Sequence, residues 1–264
     1  MNSSLRELWQ ARHFIRNSIR NEFVARVVRS RLGLLWIVLF PLAQVAIYAF
    51  VLSLVMAAKL PGVNSTYAYP IYLTAGILAW TLFSEVFSRC LTVFIEHGNL
   101  LKKMVFPRLA LPAIVCGSAL LNNLVLLLSV LAIFALLGHY PDIHLLWLPV
   151  LAALLLVLAL GLGLALGVLN VFFRDIGQVT GIVLQFGFWL TPVVYSLDII
   201  DEKYRHWLQL NPLTGIVQGY QSVLVYGRAP DFALLAYPAI FAAVALLVAS
   251  FLYRRAIDEV VDVL

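Results

Sequence analysis

Glu96–Pro112, EHGNLLKKMVFPRLALP, is the stretch that decides how this chain is read. It lies between two long apolar segments, carries His97, Lys102, Lys103 and Arg108, and is punctuated by two prolines. Between Gly98 and Phe106, residues Leu100, Leu101, Met104 and Val105 recur at helical spacing, with both lysines on the other side. At about 1.5 Å per residue this piece makes roughly two turns, far too short to cross a bilayer, and Pro107 stops it. A short basic helix between two spans is expected in or just outside the cytoplasmic face, where it can connect the membrane part to something in the cytoplasm. The plain alternative is an ordinary positive-inside loop.

The surroundings fit a membrane setting. Of 264 residues, 63% are hydrophobic and 12% charged, and mean hydropathy is +0.97. A soluble domain is nearer half apolar and a quarter charged, so the chain reads as an integral membrane protein. Long uncharged runs indicate helices, whereas a membrane β-barrel shows short alternating segments. The first thirty residues are polar and basic, with no cleavable signal peptide expected. Cys90 and Cys116 offer neither a disulfide framework nor metal-ligand spacing.

Residues 4–31 form an amphipathic helix candidate. Ala11, Ile15, Ile19, Phe23 and Val27 make an i, i+4 stripe, with Arg12, Arg16 and Arg20 beside it. This is the pattern of an interface helix, apolar side in lipid and arginines among phosphates; nucleic-acid binding competes for such arginines, but a membrane span adjoins them. Six spans follow, at about Gly33–Ala58 (with a kink expected at Pro41), Pro70–Thr92, Leu109–Leu137, Leu145–Val171, Ile176–Leu197 and Phe232–Tyr253. With the N-terminus inside, the cytoplasmic segments hold seven arginines before Gly33, then Arg89, Lys102, Lys103, Arg108, Arg174, Arg254 and Arg255. That is fourteen of the 18 basic residues, which predicts both termini in the cytoplasm. In the fourth span Gly163 and Gly167 make a GxxxG pair, compatible with close helix contact or with chance.

Between the fifth and sixth spans, Asp198–His206 is charged, and Asn211 and Pro212 then open an apolar stretch, Leu213–Tyr226, closed by Gly227. Asn at the N-cap, Pro at the first helical position and Gly past the end are helix punctuation. Too short to span, this helix is either re-entrant from the outer face or lies upon it, and the re-entrant reading is preferred.

The chain lacks GxxxxGK[ST], HExxH, GxSxG and CxxC. Glu85 and Arg89, one turn apart with the acid first, are the ionisable pair placed within a span. They are a functional candidate by default, or Glu85 merely satisfies an Arg89 at the cytoplasmic end. Phe186, Phe188, Trp189 and Tyr195 in the fifth span, with Tyr220 and Tyr226 in the outer helix, are either belt residues or faces along a sugar path.

Several of these stretches, in order, resemble the membrane subunits of ABC-2 type polysaccharide exporters, which move O-antigen, capsule or teichoic acid chains. Arg29-Ser30-Arg31-Leu32-Gly33-Leu34-Leu35-Trp36 with Pro41 is similar to the family's approach to its first span. Lys102-Lys103-Met104-Val105-Phe106-Pro107-Arg108 with Pro112 resembles its loop after the second, and Leu169-Asn170-Val171-Phe172-Phe173-Arg174-Asp175-Ile176 its turn between the fourth and fifth. Leu190-Thr191-Pro192-Val193-Val194-Tyr195 and Asn211-Pro212-Leu213-Thr214 resemble its outer region. The chain departs from the family at Val27 and Val28, often aromatic and basic, and at Gln221, often arginine.

The resemblance implies an all-α integral membrane protein, a single permease domain over 1–264. Its parts would be an interface helix (1–32), spans one to five (33–197), an outer gate segment (198–231) and the sixth span with its tail (232–264). It implies a homodimer in a bacterial inner membrane, with two separate ABC ATPase subunits that hold ATP and Mg, and no cofactor, catalytic residue or metal on this chain. Coupling to the ATPase would fall to Asn99, Leu101, Lys102, Lys103, Met104, Phe106, Arg108, Arg174 and Asp175. The head of a polyprenyl-diphosphate-linked glycan would meet Arg26, Arg29, Arg31 and Trp36. The channel or gate would use Glu85, Arg89, Trp189, Tyr195, Asn211, Pro212, Tyr220 and Tyr226. Two rivals stand beside this: an ABC-2 exporter of a drug or small lipid, and an intramembrane enzyme on lipid-linked sugars using Glu85 as acid or base. The enzyme would need a second convergent polar group from Asn122, Asn123 or Gln185.

Overall fold

The computed structural model of the chain describes residues 9–28, 35–48, 50, 68–98, 109–136, 138–140 and 142–263. Among these the secondary structure is helical, without strands. In order they are α1 (Arg12–Val28), α2 (Leu35–Tyr48), α3 (Ala68–Glu96), α4 (Ala110–Leu136), α5 (Leu148–Phe172), α6 (Asp175–Leu190), α7 (Glu202–Gln209), α8 (Pro212–Leu224) and α9 (Phe232–Val263). Single 3₁₀ turns lie at Ile143–Trp147 and Leu197–Ile199. Four helical stretches, Ala68–Glu96, Ala110–Leu136, Ile143–Phe172 and Phe232–Ala256, are long and apolar enough to cross a bilayer.

Two of the six expected spans differ from expectation. The first is helical from Leu35 to Tyr48, continuous through Pro41; residues 51–67, into which it was expected to run, lie outside the described residues. The fifth ends at Leu190, seven residues early, and its 16 residues rise only about 24 Å. The cause is Pro192: its ring disfavours helical geometry at the preceding residue, and Thr191 is extended at φ −98°, ψ 136°.

At the centre of the bundle, α5 packs against α3 on one side and α9 on the other. Small residues make both approaches possible. A Cβ on Gly163 would lie 2.8 Å from Cys90 Cβ, and one on Gly167 would lie 2.5 Å from the Cys90 carbonyl oxygen. The GxxxG pair therefore joins α5 to α3 within the chain. The two cysteines are free thiols, Cys90 buried and Cys116 half-buried.

The end of the bundle near Phe94, Gly117 and Phe173 carries α1; the opposite end carries α7 and α8. On α1, Ile15, Ile19 and Phe23 are half-buried while Arg12, Arg16 and Arg20 are exposed, so the two faces fall where the spacing puts them. α1 also packs along α4, where Ile19 seats in the notch left by the missing side chain of Gly117, while Ile15 and Phe23 with Ile19 line an open groove.

Candidate functional site

Two polar constellations stand out in an otherwise apolar bundle, one at each end. At the α1 end, Arg89 Nη2 donates to Glu22 Oε2 at 2.7 Å, tying α3 to α1. Arg89 Nη1 lies 3.8 Å from Glu85 Oε1, and that oxygen accepts from Asn122 Nδ2 on α4 at 2.8 Å. Glu85 and Arg89 are thus neighbours along one face, yet the shorter bond of Arg89 goes to Glu22, 67 positions away. Four side chains from three helices meet here. The carboxylate of Glu85 is held between a cation and an amide donor, which suits a structural tie. Asn123 turns elsewhere and donates to the Leu78 carbonyl at 2.9 Å.

The level of this tie can be measured along the helices. From Ala68 to Arg89, α3 rises about 31 Å, and from Gly117 to Leu136, α4 rises about 28 Å. Both match a hydrocarbon core of about 30 Å. The contacts Glu22–Arg89 and Ile19–Gly117 therefore stand about one hydrocarbon thickness along the helices from Ala68 and Leu136. Arg174 and Asp175, exposed between α5 and α6, share this end. Asn99, Leu101, Lys102, Lys103, Met104, Phe106 and Arg108 lie outside the described residues, as do Arg29 and Arg31. Arg26 belongs to α1, with its side chain outside the described part, and Trp36 is exposed on α2.

At the opposite end the chain breaks out of helix at residues 191–195 and runs beside the first turns of α3. A Cβ on Gly76 would lie 3.0 Å from the Val193 carbonyl oxygen. Gly76 is about 12 Å along α3 from Ala68, so this irregular backbone lies at membrane depth. Lipid cannot satisfy its carbonyl groups, and such backbone persists there only when buried in protein or lining a water-filled cavity. The structure meets that requirement. Thr191, Pro192, Val193 and Val194 are buried. Tyr69 Oη donates to the Val194 carbonyl at 2.7 Å, and Tyr72 Oη to that of Tyr195 at 2.9 Å. Gln221 Nε2, from α8, donates to the Pro192 carbonyl at 2.9 Å.

α8 itself starts where the punctuation indicates. Asn211 caps it by accepting from the Leu213 amide at 3.0 Å, and its Nδ2 donates to Thr191 Oγ1 at 2.8 Å, so one side chain serves both helix and turn. Its end comes two residues before the expected Tyr226: the helix closes at Leu224, Gly227 takes φ 56°, and the Arg228 amide returns to the Ser222 carbonyl at 3.0 Å. His139 Nε2 reaches the Leu224 carbonyl at 2.7 Å. Nearby Asp142, outside the spans, is held below the usual carboxylate range by the Ile143 amide and then by His144.

The gate candidates divide by burial. Tyr220 is fully buried, and its hydroxyl finds no hydrogen-bond partner among the described residues. Tyr195 is half-buried with its hydroxyl on the Trp189 carbonyl at 3.1 Å; Trp189 and Tyr226 are exposed. Pro212 occupies the first helical position of α8. The spacing analysis did not find Glu22, Tyr69, Tyr72 or the bracing role of Gln221. Tyr69 and Tyr72, one turn apart at the head of an apolar helix, were the available signal, as was a lone glutamine in an apolar helix. Also missed was α7, noted only as the charged stretch Asp198–His206, although Asp201 caps it by accepting from the Lys203 amide at 3.1 Å.

A family model described as ABC-2 type transporter matches residues 15–225. The chain is 31% identical over 229 residues to the O-antigen export system permease protein RfbA of Myxococcus xanthus, 86% of either chain. It is 29% identical to the protein of the same name from Klebsiella pneumoniae, over 76% of each. It is 27% identical to the polysialic acid transport protein KpsM of Escherichia coli, over 88% of this chain and 89% of that one.

Proposed function

We propose, from the premise that this chain belongs to the ABC-2 type transporter family, that it is the membrane subunit of an ATP-driven exporter of a lipid-linked polysaccharide. The observation that carries the substrate class is the extent of the likeness: permeases named for O-antigen and polysialic acid align over three quarters or more of this chain and of their own length. The chain is a multi-pass membrane protein in this reading, a single permease domain in a bacterial inner membrane with both termini cytoplasmic. The α1 end then faces the cytoplasm, a reading the basic asymmetry supports.

Energy comes from two ATPase subunits that hold ATP and Mg and couple to this chain through Asn99, Leu101, Lys102, Lys103, Met104, Phe106, Arg108, Arg174 and Asp175. The diphosphate head of the substrate meets Arg26, Arg29 and Arg31 near Trp36. A second copy of the chain completes the channel. Support for this comes from α6, which packs only lightly on α3 and α5 and leaves Gln178, Gly181, Ile182, Gln185, Phe186 and Trp189 exposed along one face. Polar amides on an uncovered membrane helix are better placed along a hydrated path than in lipid. α8 acts as the re-entrant outer element beside the exit, a reading supported by its bonds to the buried turn at membrane depth.

The test is deletion of the gene in its host. Surface polysaccharide should disappear while polyprenyl-diphosphate-linked polymer accumulates inside, and the intact gene should restore export. Unchanged surface polymer with altered sensitivity to hydrophobic drugs would overturn the reading.

A further inference from the structure

The arginine row of α1 is separate from the residues assigned above to the substrate head. Arg12, Arg16 and Arg20 are exposed on successive turns, and among the described residues none of them has a carboxylate partner; the one acid of α1, Glu22, is engaged by Arg89. Arg12 is held in place by its bond to the Trp9 carbonyl at 3.0 Å, and its guanidinium lies 4.9 Å from the centre of the Trp9 ring. Beneath the row a groove of about 600 Å³ runs between α1 and α4, floored by Ile15, Ile19, Phe23 and Leu121. The Ile19–Gly117 contact sets this groove about 28 Å along α4 from Leu136, close to the thickness of a hydrocarbon core. Leu121 stands one turn further in, and Leu124 and Leu128 continue an exposed apolar track along α4. Cations at headgroup level, an apolar bed below and a track into the acyl region together match one phosphate-bearing lipid. The three charges are spread over about 12 Å, so they suit bilayer headgroups better than a clamp on one diphosphate.

We propose that this groove binds an anionic glycerophospholipid of the bilayer. Its phosphate lies beside Arg16, with Arg12 and Arg20 one turn to either side favouring an anionic headgroup, and an acyl chain follows Leu121 and Leu124. The lipid fastens α1 to the bundle beside the Glu22–Arg89 tie. None of this depends on what the transporter exports.

The experiment uses the full-length chain, purified with whatever subunits accompany it, and native mass spectrometry of retained lipid. Nanodiscs of phosphatidylglycerol are then compared with nanodiscs of phosphatidylcholine. Wild-type protein should retain phosphatidylglycerol and melt higher in its presence. Replacing the three arginines with glutamine should weaken retention roughly a hundred-fold, since each basic residue near a membrane surface contributes about a factor of five. The triple lysine variant should keep it. Leu121→Trp, which fills the bed without touching charge and lies at an exposed position, should also lower retention and covers the case in which the triple variant fails to fold. Equal phosphatidylglycerol retention by wild type, the glutamine variant and Leu121→Trp would overturn the proposal. So would indifference of the wild type to headgroup charge, or retention of a polyprenyl diphosphate in place of phospholipid.

Discussion

Gly167→Ala tests the packing on which the bundle rests. The added Cβ would stand 2.5 Å from the Cys90 carbonyl oxygen and 3.4 Å from Leu91 Cα. An ordinary carbon–oxygen contact is about 3.3 Å or more, so α3 and α5 must part by roughly 0.8 Å. Backbone cannot swing aside as a side-chain tip can. A gap of that size forfeits a quarter to a half of each dispersion contact along the seam, and overpacking of this kind costs about 1–3 kcal/mol. Against it stands the better helix propensity of alanine, about 1 kcal/mol. Gly181→Ala is the matched control: the same chemical change on α6, with nothing within 4 Å of the new Cβ. In melting curves of detergent-purified protein, Gly167→Ala should fall several degrees below wild type, at roughly 2–4 °C per kcal/mol for a chain of this size. Gly181→Ala should hold level or rise slightly. If the two variants melt together, the α3–α5 approach described here is wrong.

Two further outcomes are expected. In a double-mutant cycle, Glu22→Gln and Arg89→Gln should each destabilise, and the pair should cost less than the sum by roughly 1–2 kcal/mol, because both sides of the tie are only partly shielded; strict additivity in thermal unfolding would show that α1 is not held through this pair. At the other end, Tyr220→Phe removes a buried hydroxyl without a partner among the described residues and should leave stability unchanged or improved, whereas Gln221→Leu removes the shorter of the two donors to the Pro192 carbonyl, leaving Tyr72 Oη at 3.4 Å, and should cost about 1 kcal/mol or more. Matching losses in the two variants, measured by the same melts, would show that Tyr220 has a polar role in the folded protein.

How far the sequence could be read depended on distance along the chain. The faces of α1 and the start of α8 follow from neighbours a turn apart: the Ile15–Ile19–Phe23 stripe, Asn211 as cap, Pro212 at the first position. Such patterns record which side of a helix is apolar and where it begins. They say nothing of what covers that side, which is why the stripe of α1 was placed in lipid and Ile19 was found against Gly117. Partners far apart in the chain left no periodic mark. Glu22 meets Arg89 across 67 positions and Tyr69 meets Val194 across 125. Pro192 was visible as a break, but two of the donors that make a break tolerable at that depth, Tyr69 and Tyr72, were not singled out, and Gln221 stood only as a departure from the family pattern.

Those donors also order events at birth. A chain delivered to the bilayer from its N-terminus releases Tyr69 and Tyr72 well over a hundred residues before the carbonyl groups they will serve, and Gln221 nearly thirty residues after the Pro192 carbonyl. When α6 leaves the translocation machinery it is too short to cross unaided and ends in peptide groups that lipid cannot satisfy. Its lasting insertion must wait for α8, so α6, the turn and α8 enter as one late, concerted step onto an α3 already in place. A nascent chain arrested between Pro192 and Gln221 would hold α6 only loosely, and quality-control proteases that survey unfinished membrane proteins would find their substrate there.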